Sequence, residues 1–304
     1  MANQLTYSVL DVFAERALEG NPLAVFHDGR GLSDAQMQAI ARETNLSETT
    51  FVLPGDAELE REDGVRVRIF TTQEELPFAG HPTLGTATWL YRNHPALRGA
   101  AAITLKLNVG PIAVQFTPPA DDEHGVMATM RQNDAVFGAT YAVAEIAAVI
   151  GVAMYDLLPG FAPQTVSTAN PFCVVALRSV EVLSRLAIPQ REATAWLKAR
   201  GIRWFYCIAP AVEIVAGRCV EWRARMQWYA GEDPATGSAA GPCIAWLVKN
   251  GLVGSGESAT IAQGVEMLRP SRLTVHATLQ GETVREIRVA GRTIPVAEGR
   301  LFLP

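Results

Sequence analysis

The stretch Gly80-His81-Pro82-Thr83-Leu84-Gly85-Thr86-Ala87-Thr88-Trp89-Leu90-Tyr91-Arg92-Asn93 decides the fold, because it has a counterpart about half a chain length further on. The counterpart is Gly237-Ser238-Ala239-Ala240-Gly241-Pro242-Cys243-Ile244-Ala245-Trp246-Leu247-Val248-Lys249-Asn250. At one constant offset Gly, Trp, Leu, a basic residue and Asn coincide. Each stretch starts with Gly and small residues and ends on a basic residue and Asn, as a helix C-terminus does. The repeat predicts two similar domains, each with one small-residue helix buried in a sheet. Trp89 and Trp246 then read as core side chains.

Working outward, the remaining pattern is one of many short strands and few helices. Strands are expected at Leu5 to Phe13, Leu23 to His27, Thr49 to Leu53 and Val65 to Phe70, then at 101–107, 111–116 and 125–130. Ser33-Asp34-Ala35-Gln36 is a capping box that opens a helix ending near Asn45. The second half carries helical patterns near 143–150 and 188–199. Its strands are expected near 172–177, 203–209, 218–226, 272–279 and 284–290, and a short hairpin around Ala297-Glu298-Gly299 closes the chain. The fold class is α+β, two similar domains, each a mostly antiparallel or mixed sheet wrapped around a central helix. No regular β-α-β alternation favours a Rossmann or barrel fold. The expected domains are 1–123 plus 293–304, and 124–292.

Composition excludes several function classes. Of 304 residues, 49% are hydrophobic and 19% charged, too apolar for a disordered chain and too mixed for a membrane protein. The 26 basic residues stand against 31 acidic ones, a net charge of -5, which argues against nucleic acid as a partner. Tyr141 to Leu158, the most apolar long stretch, is broken by Glu145 and Asp156, so no membrane span is expected. The first twenty residues lack the pattern of a signal peptide. Cys173, Cys207, Cys219 and Cys243 are scattered, which fits neither a zinc site nor a disulfide framework. The expectation is a soluble, cytoplasmic protein without metal.

Both repeated helices begin with Gly and polar groups, Ala79-Gly80-His81-Pro82 and Ala235-Thr236-Gly237-Ser238. Their free N–H groups and dipoles suit a carboxylate. If the two starts faced each other across a cleft they could hold one; for either alone, ordinary capping is the leading reading. Glu48 stands at the join of a helix end and a strand, beside Thr49, Thr50 and Phe51. It is either a solvated loop carboxylate or a general acid/base with its pKa raised by apolar walls. Asp233 either caps the second helix or holds a cationic or proton-donating part of a substrate. His81 alone of five histidines lies in a Gly/Pro helix start, where it would stay neutral. His27, His94, His124 and His276 read as unremarkable. No phosphate-binding loop, zinc-protease motif, nucleophile elbow or dinucleotide fingerprint is present.

Several long motifs resemble the PhzF phenazine-biosynthesis family. They are Gly20-Asn21-Pro22-Leu23-Ala24-Val25-Phe26, Asn45-Leu46-Ser47-Glu48-Thr49-Thr50-Phe51-Val52, Glu75 to Gly85, Asp233 to Gly241, Gln263-Gly264-Val265-Glu266-Met267 and Arg269-Pro270-Ser271. The region 118–200 carries little of the likeness. The resemblance implies the diaminopimelate epimerase fold, a homodimer, and no cofactor or metal. It further implies a proton shift on trans-2,3-dihydro-3-hydroxyanthranilate on the way to phenazines, with a small, anionic, cyclic, amino-acid-like molecule as substrate. By motif, Glu48, His81 and Asp233 are the catalytic set, with Glu48 as general acid/base. Ser47, Gly80, Gly237 and Ser238 are the substrate-binding set. Arg223 and Arg225 are weaker candidates for a charge partner. Related racemases use two cysteines at equivalent places, and neither place holds Cys here. The alternatives are a family member acting on another small amino or hydroxy acid, and a non-catalytic binding protein of the same fold.

Overall fold

The computed structural model describes residues 3–118, 125–229 and 231–303. Its contacts divide the chain into two compact units, Met1–Arg131 with Ala290–Pro304, and Gln132–Val289. The boundary expected at 123/124, and His124 with it, lie outside the described residues.

The first unit runs β1 (Asn3–Val12), β2 (Asn21–Phe26), α1 (Asp34–Thr44), β3 (Glu48–Leu53), α2 (Ala57–Asp63), β4 (Val65–Phe70), β5 (Glu75–Leu76), α3 (Gly80–Asn93), β6 (Ala102–Leu107), β7 (Gly110–Thr117) and β8 (Val126–Arg131). Its pairings are mixed: β1 with β2 and β3 with β4 antiparallel, β2 with β3 and β4 with β6 parallel. The helix α3 packs against β1, β2, β3, β6, β7 and β8. Every residue from Gly80 to Thr88 is buried. Small residues make that possible: a Cβ at Gly85 would stand 2.5 Å from Leu23 Cδ2. The opposite face of the sheet packs on α1, through Ala24, Phe26, Phe51, Met37, Ile40 and Ala41. The capping box of α1 forms as expected, with Ser33 and Gln36 each bonded to the other's backbone N–H. Asn45 ends the helix in the left-handed conformation, φ 51°, and so turns the chain into β3.

The second unit contains β9 (Val136–Thr140), α4 (Val143–Ile150), β10 (Gln164–Ser167), β11 (Pro171–Ala176), α5 (Val180–Ser184), α6 (Gln190–Lys198), β12 (Trp204–Pro210), β13 (Glu221–Trp228), β14 (Gly231–Asp233), α7 (Gly237–Lys249), β15 (Ser258–Gln263) and β16 (Ser271–Gln280). Here too the pairings are mixed, with β11–β12 and β13–β15 parallel. The helix α7 packs against β10, β11 and β16, and Trp246 is buried. Trp89 of α3 is half-buried and stacks on His27, with ring centroids 4.4 Å apart. Ile146, Ile150, Leu183, Leu197 and Phe205 form the core under α4, α5 and α6.

The expected terminal hairpin at 297–299 does not form. A single strand, β17 (Thr283–Leu303), runs from the second unit into the first and pairs antiparallel with β1. Gly299 is a space requirement instead of a turn, since a Cβ there would run into the Tyr7 ring. A bulge falls where Leu10 meets Pro295, a residue with no N–H for the ladder.

Candidate functional site

In the first unit the site begins with a turn. Gly20 has φ +69°, and any Cβ there would strike the carbonyl of Val12. That turn delivers Asn21 to the head of β2, opposite Val12. Asn21 and Leu23 share one face of the strand, and Leu23 pairs with Glu48 at the head of β3. All three therefore face α3, as does Thr50, whose hydroxyl accepts a 2.8 Å hydrogen bond from Thr86. The first turn of α3 places His81 over this point. Its Nδ1 lies 3.3 Å from Asn21 Nδ2, and its Nε2 lies 3.5 Å from Glu48 Oε2. Asn21 and His81 are buried, and Glu48 Oε2 is shielded from solvent. His81 Nε2 is buried without a hydrogen-bond partner among the described residues.

Burial pushes the His81 ring down to about 3, because an imidazolium there would lose its hydration. The ring is therefore neutral at neutral pH. The linkage has a definite sign. The unfolded ring protonates near 6.5 and the folded ring near 3, so the unfolded state binds more protons between those values. Stability contributed by the neutral ring is complete above pH 6.5 and is lost as pH falls towards 3. Wild-type protein is expected to lose about 2 kcal/mol more than His81→Gln between pH 7 and pH 5. Urea unfolding at the two pH values measures this, and equal losses would show a solvated His81.

In the second unit the helix start is held by Gln263. This side chain is fully buried at the end of β15. Its oxygen accepts from the Tyr206 hydroxyl at 2.9 Å and from the Thr236 N–H at 3.2 Å. Its nitrogen donates to the Asp233 carbonyl at 2.7 Å and to the Thr236 hydroxyl at 2.9 Å. All of its hydrogen-bonding capacity is used. Thr236 in turn donates to Asp233 Oδ2 at 2.6 Å. Asp233 is not the N-cap residue of α7. The capping position is Thr236, and it makes no side-chain cap bond. The carboxylate is set by the loop that precedes the helix. Gln132 reaches over α7 and donates to the Gly237 carbonyl at 2.8 Å. It can do so only because Gly241 has no Cβ, which would overlap the Gln132 side-chain oxygen.

The other candidates fall as follows. Gly80 and Gly237 are buried, Ser238 is half-buried, and Ser47 is exposed. Arg225 is a structural residue. It makes two bonds to Glu232, at 2.8 and 2.6 Å, and donates to the carbonyls of Leu183, Ser184 and Leu186. Arg223 pairs with Glu266 at 2.6 Å. His94, read as unremarkable, is buried and bonded to Glu60 at 2.9 Å. All four cysteines are buried. Burial pushes the Cys207 thiol up to about 12 and raises Cys173 and Cys243 as well, which disfavours thiolates. Among the described residues no group of three or more His, Cys, Asp or Glu could hold a metal ion. Among the described residues no helix is long and apolar enough to cross a membrane. Asn21 and Gln263 were not among the expected functional residues, although both stand inside motifs quoted above.

The model for the phenazine biosynthesis-like protein family, PhzC-PhzF, matches residues 10–299. The chain belongs to this family. PhzC-PhzF relatives similar to it include the trans-2,3-dihydro-3-hydroxyanthranilate isomerase of Pseudomonas aeruginosa, 38% identical across 98% of this chain and 99% of the relative. The enzyme of the same name from Pseudomonas fluorescens is 35% identical over the same shares. A solved structure described as a predicted epimerase from Pseudomonas aeruginosa is 37% identical, covers 98% of this chain and 99% of that one, and has a TM-score of 0.81. With full-length relatives at 35% and 38% identity named as isomerases, the chain is an isomerase, and its α+β epimerase-like fold is the one expected. A hydroxyproline epimerase from Agrobacterium vitis, 11% identical with TM-score 0.65 and covering 99% of this chain and 93% of that one, shares the fold.

Proposed function

We propose that the chain shifts a proton on trans-2,3-dihydro-3-hydroxyanthranilate, or a close cyclic analogue, without a cofactor. The observation that carries this is the Glu48 carboxylate held 3.5 Å from a neutral, buried His81 ring. A proton moved between two carbons on one face of a ring needs one base that takes it and returns it. Inversion of a stereocentre needs two groups on opposite faces, and the buried high-pKa cysteines do not suit that role. Glu48 is the general acid/base in this reading, and His81 a neutral hydrogen-bonding partner. Asp233, which is bonded to Thr236, orients the amino or hydroxyl group of the substrate. Gly80, Gly237 and Ser238, with Ser47, supply the polar contacts that a carboxylate and hydroxyl need. Full-length relatives bearing the name of this isomerase support the substrate. A cytoplasmic homodimer working in phenazine biosynthesis belongs to the same reading.

The test is incubation with trans-2,3-dihydro-3-hydroxyanthranilate in deuterated water. Loss of substrate, with the isomeric ketone formed, is the expected result. Tight binding with no product and no exchanged deuterium would reduce the chain to a binding protein.

A further inference from the structure

We infer that Asn21 is a positioning residue that keeps the single hydrogen of the His81 ring on Nε2, turned towards Glu48. Three observations carry it. Asn21 presents Nδ2 to His81 Nδ1 at 3.3 Å, and an amide nitrogen has only hydrogens to give. Nδ1 must then accept, and a neutral ring carries its hydrogen on Nε2. Burial removes the alternative of a doubly protonated ring. Finally, Nε2 faces a carboxylate oxygen at 3.5 Å, where a hydrogen is attracted and a lone pair repelled.

The same logic operates elsewhere in the first unit. The Ala96 N–H donates to His94 Nδ1 at 3.3 Å, so His94 donates from Nε2 to Glu60 at 2.9 Å. There the partners close a complete structural link. At His81 the Nε2 hydrogen has no hydrogen-bond acceptor among the described residues. It is left to offer.

The consequence for the substrate rests on the isomerase reading. With Nδ1 occupied by Asn21, His81 has on its Nε2 side a hydrogen to give and no lone pair to accept with, so the substrate group beside it is an oxygen acceptor and not an ammonium. A carboxylate, carbonyl or hydroxyl oxygen fits.

The experiment is long-range proton–nitrogen NMR on the full chain labelled with ¹⁵N, His81 being assigned by its loss in His81→Gln. Wild-type protein is expected to show His81 as one neutral tautomer with hydrogen on Nε2, unchanged between pH 6 and 8. Asn21→Leu should mix the two tautomers, and Asn21→Asp should move the hydrogen to Nδ1. In both variants kcat should fall at least tenfold, with KM changed much less. A wild-type ring protonated on Nδ1, or an Asn21→Leu ring still wholly on Nε2, overturns the inference. The wild-type spectrum decides the tautomer even if a variant fails to fold. It also separates the two readings: an Nε2–H ring in a protein that turns nothing over would sink the isomerase proposal and leave the role of Asn21 standing.

Discussion

Replacing Glu48 by Gln is expected to lower kcat about 10²–10⁴-fold while the fold and ligand binding survive. The substitution keeps the size of the side chain and an oxygen that can face His81 Nε2. It removes the ability to take a proton. Nothing in the backbone pairing depends on the charge, since Glu48 enters the sheet through main-chain bonds opposite Leu23. A rate loss of that size corresponds to about 3–5 kcal/mol of transition-state stabilisation. The loss should appear in kcat with KM little changed, because the proton transfer and not the initial docking is affected. Steady-state kinetics on the purified variant, with circular dichroism to confirm folding, settles the point. A variant within twofold of wild type would remove Glu48 from the chemistry.

Arg225→Met is expected to cost about 3–5 kcal/mol of stability and to leave the kinetics of the folded protein unchanged. The guanidinium is buried and bonds to both oxygens of Glu232 and to three carbonyls around the end of α5, with the Glu266 carboxylate 4.0 Å away. Met fills the volume but abandons those acceptors, including a half-buried carboxylate. The melting temperature should fall by roughly 10 °C, at about 2–4 °C per kcal/mol for a unit of this size. Kinetics measured well below the transition should match wild type, since Nε, Nη1 and Nη2 of Arg225 are each engaged by Glu232 or by a backbone carbonyl. A large rise in KM with an unchanged melting point would return Arg225 to the role of charge partner.

The two central helices were legible because small residues at a close contact leave a mark in the sequence. Gly85 exists to admit Leu23, and Gly241 to admit Gln132. The capping box at Ser33 was legible for a related reason, being a local bond between residues three apart. The helices α2 and α5 and the strands β5, β9, β10, β14 and β15 were not foreseen. The strands β10 and β14 are four residues and three, too short to set up a periodicity. The terminal strand was misread because Gly299 next to Glu298 looks like a turn, whereas its lack of a side chain serves the Tyr7 ring.

Sequence alone determined the family, the two-domain α+β architecture and the residue types available for proton transfer, because those are written in contiguous motifs. Only the tertiary structure decided what each polar side chain touches. Asn21, Glu48 and His81 come from three separate segments, and Gln263 reaches back to Asp233 and Thr236 from thirty or so residues away. Hydrogen bonds and desolvation act through space over a few ångströms, so the ring nitrogen that carries the proton is set by neighbours that the order of residues does not reveal.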